Sequence, residues 1–311
     1  MIIAKVPLKV TLFGEHAIVY NKPAIAATIN EYLYVKIKQG NNRIIVSSPS
    51  LTIKGVTIDL DSSIIINPVA KELFNYIIHV IDYFGKKPVE IEIDTQVEPS
   101  VGLGTSAAVV VGTTAAYSTF LGYKLSREEI AKISFEIEKS VQKIGSRMDT
   151  FTEALGGIIF FTENEEQRLS TNLKFTVGYI IRSETTRDIL KRVSITKQSN
   201  PELVNGIFGL IETITNKAKT ALVEGRKEEI GRLMYINHGL LNALGITDER
   251  VDYIIGLAKK LSIDGCKISG GGGGGAVVCL KSEIAENLLK ISGAKLIDSE
   301  ISNEGVTTYS T

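Results

Sequence analysis

What this sequence lacks is plain: its 311 residues hold two cysteines and no tryptophan, and neither sign of charge is in surplus, with 35 Lys plus Arg against 35 Asp plus Glu. Cys266 and Cys279 are too few and too late in the chain for a disulfide framework or a cysteine metal site. A reduced, cytoplasmic setting is the simplest expectation. The even charge balance gives no global field to draw nucleic acid or an anionic membrane, and leaves room only for a local positive pocket. No run of about 18 apolar residues occurs, which excludes an ordinary transmembrane helix. The opening MIIAKVPLKVTLFGEH passes straight into alternating, strand-like sequence without the regions of a secretory signal. Nor is there a G-x-x-x-x-G-K-[ST] phosphate loop or an internal repeat.

What is present is the composition of a globular protein with a sizeable core, 44% hydrophobic and 23% charged, and a length suited to two domains. The first hundred residues read mostly as strands. Leu33, Val35 and Ile37 alternate with Tyr34, Lys36 and Lys38, a Gly40-Asn41-Asn42 turn precedes Arg43-Ile44-Ile45-Val46, and a Lys54-Gly55 turn divides a second hairpin. Helical spacing covers 68–84, and Val89, Ile91 and Ile93 alternate again. Small apolar residues at 105–121 predict a buried helix; Ser126 to Ile144 predicts an amphipathic one, opened by the capping box Ser126-Arg127-Glu128-Glu129. A strand at 173–182 leads to helices near 201–223, 226–243 and 248–261, then strand, glycine run, strand, helix and a last strand. The polar stretch at 163–172 is the natural boundary. This order fits an α+β protein of two intimate lobes.

The segment Pro99-Ser100-Val101-Gly102-Leu103-Gly104-Thr105-Ser106-Ala107-Ala108 joins a strand to the small-residue helix. Glycines let backbone approach a ligand, and a helix N-terminus presents free amides and the positive end of its dipole, which together cradle phosphate. The bland reading is a tight turn before a buried helix. A dinucleotide fingerprint also fits Gly102, Gly104 and Ala107, but it needs a carboxylate about 20 residues on at the end of a second strand. That distance falls on a helix start near Glu128, so this reading is excluded. On the next helix, Glu136 and Glu138 flank the stripe of Ile130, Ile133, Ile137, Val141 and Ile144 equally, and periodicity does not choose between them. Asp149 follows Glu138 by 11 residues, and Gly270 to Gly275 alone reads as a flexible turn.

Together these segments resemble the GHMP kinases. Gly102 to Ala108 is similar to their G-L-G-S-S-A-A motif, with Thr105 in place of the first Ser. Lys9 to Tyr20 resembles the K-V-x-L-x-G-E-H-A-V-V opening of the mevalonate kinase branch, where Leu8 replaces a frequent Gly. Phe135 to Lys139 is similar to F-E-x-E-[KR], and Gly145 to Asp149 stands where many relatives have S-G-x-D, so Arg147 is a departure. Lys267 to Ala276 resembles K-[LI]-[ST]-G-A-G-G-G-G with Gly271 for Ala; Asn237-His238 and Thr186-Arg187 resemble N-H-x-L-L and T-[KR]. The resemblance runs from Lys9 to Ala276 and is strongest to short archaeal-type members.

That resemblance implies a GHMP kinase fold, α+β, with two intimate α/β lobes and the active site between them: an N-terminal ATP-binding domain at 1–167 and a C-terminal domain at 168–311. It implies phosphorylation of the C5 hydroxyl of mevalonate by ATP, with homoserine or phosphomevalonate kinase, or a non-catalytic ligand sensor, as alternatives. Asp149 and Lys9 are then catalytic; Pro99, Gly102, Leu103, Gly104, Thr105, Ser106 and Ala107 bind phosphate; Ser106 and Glu138 hold Mg²⁺. Glu15, His16, Ser146, Thr186, Arg187 and Gly271 face the acceptor, with Lys9, His16 and Arg187 as cations for its carboxylate and Glu15 orienting His16. ATP and mevalonate are the expected partners, without nucleic acid or membrane, and a homodimer is left open. His79 and His238 read as structural.

Overall fold

Alternating apolar residues fix the face of each early strand. In the computed structural model, which describes residues 1–48, 53–58, 71–98, 101–142 and 145–311, Leu33, Val35 and Ile37 are buried. Lys36, on the other face, reaches Glu92 at 2.8 Å and Asp94 at 3.2 Å on the neighbouring strand. The N-terminal lobe contains β1 (Ile2–Phe13), β2 (Ala24–Gln39), β3 (Ile44–Ser48), β4 (Ile53–Ile58), α1 (Lys71–Phe84), β5 (Val89–Thr95), α2 (Thr105–Phe120), α3 (Arg127–Gln142), α4 (Met148–Leu155), β6 (Ile158–Phe161) and β7 (Glu166–Leu169). Among the described residues its sheet has the order β12-β1-β2-β5-β3-β4, with β6 and β7 branching from β2; β12 (Thr307–Ser310) is the last strand of the chain. The second lobe contains β8 (Phe175–Ile180), α5 (Thr186–Ser199), α6 (Pro201–Val223), α7 (Lys227–Ala243), α8 (Glu249–Lys260), β9 (Cys266–Ser269), β10 (Gly275–Leu280), α9 (Glu283–Ile291) and β11 (Lys295–Ile297), and its sheet has the order β11-β8-β10-β9.

The small residues of α2 let it lie directly on the first sheet. Nearly every side chain from Thr105 to Ser118 is buried, as expected of a helix apolar on all sides. Of its two large residues, Tyr117 and Phe120, Tyr117 places its hydroxyl so that it donates to the Gly85 carbonyl at 2.7 Å and accepts from the Lys87 amide at 3.0 Å. A second core in the other lobe gathers Phe208, Ile211, Leu241, Ile255, Ile268 and Leu288 among others. Between the lobes, Thr11 of β1 and Ser269 of β9 exchange two hydrogen bonds, amide to hydroxyl at 2.8 Å and hydroxyl to carbonyl at 3.0 Å.

Four features differ from the sequence reading. Lys54 and Gly55 lie inside β4, which pairs antiparallel with β3 from Ile44↔Ile58 to Ser48↔Ile53, so they form no turn. Leu51, Thr52 and residues 68–70 lie outside the described residues. α4 and α5 form where only loop was expected. The start of α5 did carry a signal: Thr185 caps it by accepting from the Asp188 amide at 3.2 Å. His79 stands on the exposed face of α1 rather than in the core.

The fourth difference is chemical. Cys266 and Cys279 are directly opposite on β9 and β10 and form a disulfide. Sequence spacing alone says nothing of strand pairing, so two late cysteines gave no hint of it. The crosslink closes the loop that contains the glycine run. Unfolded protein kept from reductant is therefore expected to show no free thiol by mass spectrometry, and reduction is expected to lower stability by about 2–4 kcal/mol. Two titratable thiols in unreduced protein would contradict this pairing.

Candidate active site

β1 carries Lys9 into the gap between the lobes. Its amide donates to the Leu103 carbonyl at 3.1 Å, tying the strand to the glycine-rich loop. Its ammonium is buried, donates to Thr11 Oγ1 at 3.2 Å and pairs with Asp149 Oδ1 at 2.8 Å. Asp149 occupies the first turn of α4, where the helix dipole favours an anion, and its side chain remains 32% exposed.

Two further elements close around this pair. The capping box is formed as expected: the Ser126 amide donates to Glu129 at 2.8 Å and the Glu129 amide donates to Ser126 Oγ at 3.2 Å. The α3 that follows buries Glu138 beside the cleft and leaves Glu136 in solvent, the choice that periodicity left open. Gly104 precedes α2 with φ +80° and no side-chain cap. No acidic residue occupies the first turn of α2, so the outward amides of Thr105, Ser106 and Ala107 keep their positive character.

Two adjoining cavities share Lys9, Glu138, Asp149, Thr186, Gly270 and Gly271. One follows Gly102, Gly104, Thr105, Ser106 and Ala107. The other extends to Glu15, His16 and Ser146, with apolar walls from Ile18, Val19 and Met148. The sequence-predicted residues thus converge on one cleft, with three qualifications. Leu103 is wholly buried and contributes only backbone, Arg187 lines the α2-side cavity from an exposed position on α5, and Pro99 lies outside the described residues.

In the second cavity Glu15 does not orient His16. Its carboxylate is taken by the buried Lys267 ammonium and, at 3.1 Å, by the Asn237 amide. His16 meets the Gly271 carbonyl through Nε2 at 3.1 Å, while its buried Nδ1 has no partner. Burial, aided by the charges of Arg182 and Arg192, pushes the imidazole down to about 4. A neutral ring donating from Nε2 leaves Nδ1 a bare acceptor, so His16 supplies no cation.

The whole-chain comparisons fit this geometry. Residues 72–157 match the family described as GHMP kinases N terminal domain, and residues 218–291 match GHMP kinases C terminal. The chain is 54% identical over 309 residues to a mevalonate kinase of Saccharolobus solfataricus, covering 98% of each. The chain belongs to the mevalonate kinase family of GHMP kinases. A crystal structure of the Methanococcus jannaschii mevalonate kinase superposes with a TM-score of 0.78 at 31% identity, covering 99% of this chain and 96% of that one. Another crystal structure of a mevalonate kinase gives 0.80 at 30% identity, covering 97% and 99%.

In this kinase two site-forming residues, Arg182 and Glu153, escaped the sequence reading, and the departure at Arg147 finds its place outside the cleft. Arg147 turns away from the cleft: its guanidinium donates to the carbonyls of Glu163 at 2.7 Å and Thr162 at 3.0 Å and pairs with Glu166, fastening α4 to the β6–β7 hairpin. Arg182 borders the cleft just beyond β8. Glu153 lies one turn beyond Asp149, fully buried, with neither carboxylate oxygen bonded. A Cβ on Gly104 would stand 2.1 Å from Glu153 Oε1 and 3.1 Å from Lys9 Cε, so glycine is required where loop, lysine and glutamate meet. A lone Glu at i+4 from Asp149 in MDTFTEAL was the available signal.

Burial first, then the charge of Asp149, pushes Glu153 far above the usual carboxylate range, with Lys9 opposing. In the unfolded chain the same group ionises at its ordinary value, near 4.3. The unfolded state therefore sheds this proton first, and the contribution of Glu153 to stability falls as pH rises through and beyond that value. Glu153→Gln is expected to raise the melting temperature more at roughly pH 8 than at roughly pH 5. Paired thermal melts check this, and an equal shift at both pH values would contradict it.

Proposed function

We propose that the cleft transfers the γ-phosphoryl group of ATP to the C5 hydroxyl of mevalonate, giving 5-phosphomevalonate for isoprenoid synthesis. The observation that carries this reading is the meeting of the two cavities at Lys9 and Asp149. A triphosphate on the α2 side would lie against free helix amides, and an alcohol on the other side would reach the same ion pair. Phosphoryl transfer has a loose transition state, so alignment and charge neutralisation supply most of the acceleration. Asp149 would orient the hydroxyl and receive its proton, and the Lys9 ammonium would stabilise the oxygen as charge develops on it.

The donors at the junction suit Mg²⁺. Glu138, Asp149 and Ser106 offer hard oxygens to one cavity. Burial, then the nearby Asp149 charge, pushes Glu138 up to about 8, against the pull of Lys9, and a bound cation would favour its charged form. Glu138 and Ser106 would hold the ion, which supplies charge neutralisation to the β- and γ-phosphates.

The apolar wall of Ile18, Val19 and Met148 suits the methyl-bearing carbon of mevalonate, and the bare Nδ1 of His16 suits its C3 hydroxyl. A hexose would need polar partners where those apolar side chains stand. The intact pair of Lys9 and Asp149 speaks against a ligand sensor. The division into an ATP-binding 1–167 and a C-terminal 168–311 remains part of this proposal, with β12 returning to pair with β1. A cytoplasmic location goes with the reading; an intracellular disulfide has precedent in hyperthermophile proteins.

An acceptor panel with ATP and Mg²⁺ tests the assignment. Mevalonate is expected to exceed homoserine, galactose and phosphomevalonate by at least about 10²-fold in kcat/KM. In the same assay Glu138→Gln is expected to raise the Mg²⁺ concentration giving half activity, whereas Glu136→Gln leaves it unchanged. Comparable turnover of homoserine or phosphomevalonate would overturn the acceptor assignment.

A further inference from the structure

An anionic acceptor needs a cation, and the obvious ones near the junction are engaged. Lys9 is held by Asp149, Lys267 is enclosed with Glu15, and His16 is neutral. Arg187 lines the α2-side cavity but is exposed on α5. Arg182 differs from all of these. It lines the cavity that follows the α2 loop, beside Thr186 and Gly271, which pass into the acceptor cavity, and its guanidinium is fixed at two points. Nε donates to the Gly272 carbonyl at 2.7 Å and Nη1 donates to Thr186 Oγ1 at 2.8 Å. The third nitrogen, Nη2, is buried without a partner.

A guanidinium carries five donors in a rigid fork, and leaving one buried and unpaired is costly unless a ligand meets it. Its surroundings indicate which ligand. Thr186, which Arg182 grips, and the adjacent Gly271 border both cavities at their junction. Consecutive carbonyls of the glycine run hold the two groups with spare polar atoms, Gly271 for His16 and Gly272 for Arg182. The charge of Arg182 is also felt at His16, inside the acceptor cavity. The α2 loop, which lines the same cavity as Arg182, already provides helix amides for phosphate.

We propose that Arg182, positioned by Thr186 and the Gly272 carbonyl, is the specificity-determining cation that receives the carboxylate of the acceptor through its free Nη2. The proposal rests on the mevalonate reading above. It also explains Gly271. A Cβ there would stand 2.4 Å from Thr186 Oγ1 and 2.5 Å from its Cγ2, so alanine would displace the side chain that sets Arg182.

The test pairs residue and ligand group. Mevalonate is compared with 3-methyl-1,3,5-pentanetriol, in which an alcohol replaces the carboxylate, on wild type, Arg182→Gln, Arg182→Lys and Gly271→Ala. Wild type is expected to favour mevalonate by about 10²-fold or more in kcat/KM. Arg182→Gln should lose most of that preference through a higher KM for mevalonate, with the triol rate and the KM for ATP within about threefold of wild type. Arg182→Lys, keeping charge without the fork, should fall between. Gly271→Ala should raise the KM for mevalonate in the same direction. A KM for ATP that rises more than that for mevalonate would assign the guanidinium to phosphate and overturn the proposal. An equal loss on both acceptors, showing a structural role, would overturn it too, as would an unchanged preference. Failure of wild type to use mevalonate at all would instead bring down the acceptor reading on which this one rests.

Discussion

The ion pair between Lys9 and Asp149 is the constraint around which the site is arranged. Burying an ammonium costs several kcal/mol unless partners compensate, and here they are Asp149 at 2.8 Å and Thr11 at 3.2 Å. The pairing requires α4 to begin beside β1, and Arg147 secures α4 from its outer side. It also requires the α2 loop to pass over Lys9 without a side chain at Gly104. Two more carboxylates, Glu138 and Glu153, lie close enough that the charge of Asp149 acts on both. One buried cation faces three acidic groups, and burial together with the charge of Asp149 pushes two of them, Glu138 and Glu153, toward their neutral forms. Such a site is suited to receiving a metal-bound polyphosphate and is a poor choice for stability alone.

The second lobe completes the cleft through backbone more than through side chains. Thr11 and Ser269 stitch β1 to β9, and the glycine run leads from Ser269 past the α2 loop, with its carbonyls turned to His16 and Arg182. Below it, the enclosed contact of Glu15 with Lys267 and Asn237 ties the polar corner after β1 to both α7 and β9. Removing either charge would leave the other buried and unpaired, which is more damaging than replacing both. The disulfide between Cys266 and Cys279 bounds the same run where six glycines would otherwise carry the greatest conformational entropy.

Much of this was legible where a local pattern has a local cause. The alternation of β2, the capping box of α3 and the small residues of α2 each declare themselves within a few positions. Recognisable motifs brought Lys9, the α2 loop, Glu138 and Asp149 into one expected site, and the fold places them around one cleft. What stayed hidden depends on partners distant in sequence. Glu136 and Glu138 are equivalent on a wheel until α2 and α4 take one side of α3. Lys54-Gly55 looks like a turn until β3 pairs alongside. Arg147 is a motif departure whose meaning lies in the β6–β7 hairpin, and the pairing of Cys266 with Cys279 follows from strand register. Arg182 and Glu153 are single charged residues in otherwise ordinary strand and helix sequence, and only burial without a partner makes them conspicuous.

The central claim is that Lys9 and Asp149 act as one unit at the point where donor and acceptor meet. A double-mutant cycle on kcat/KM with Lys9→Met, Asp149→Asn and the combined variant measures this directly. Each single change is expected to cost roughly 10²-fold or more, the usual scale for a positioned proton acceptor or a charge-stabilising group. The double variant is expected to be little worse than the poorer single one, because groups that work together lose their effect together. Losses that multiply, giving a double variant slower by the product of the two, would contradict the account.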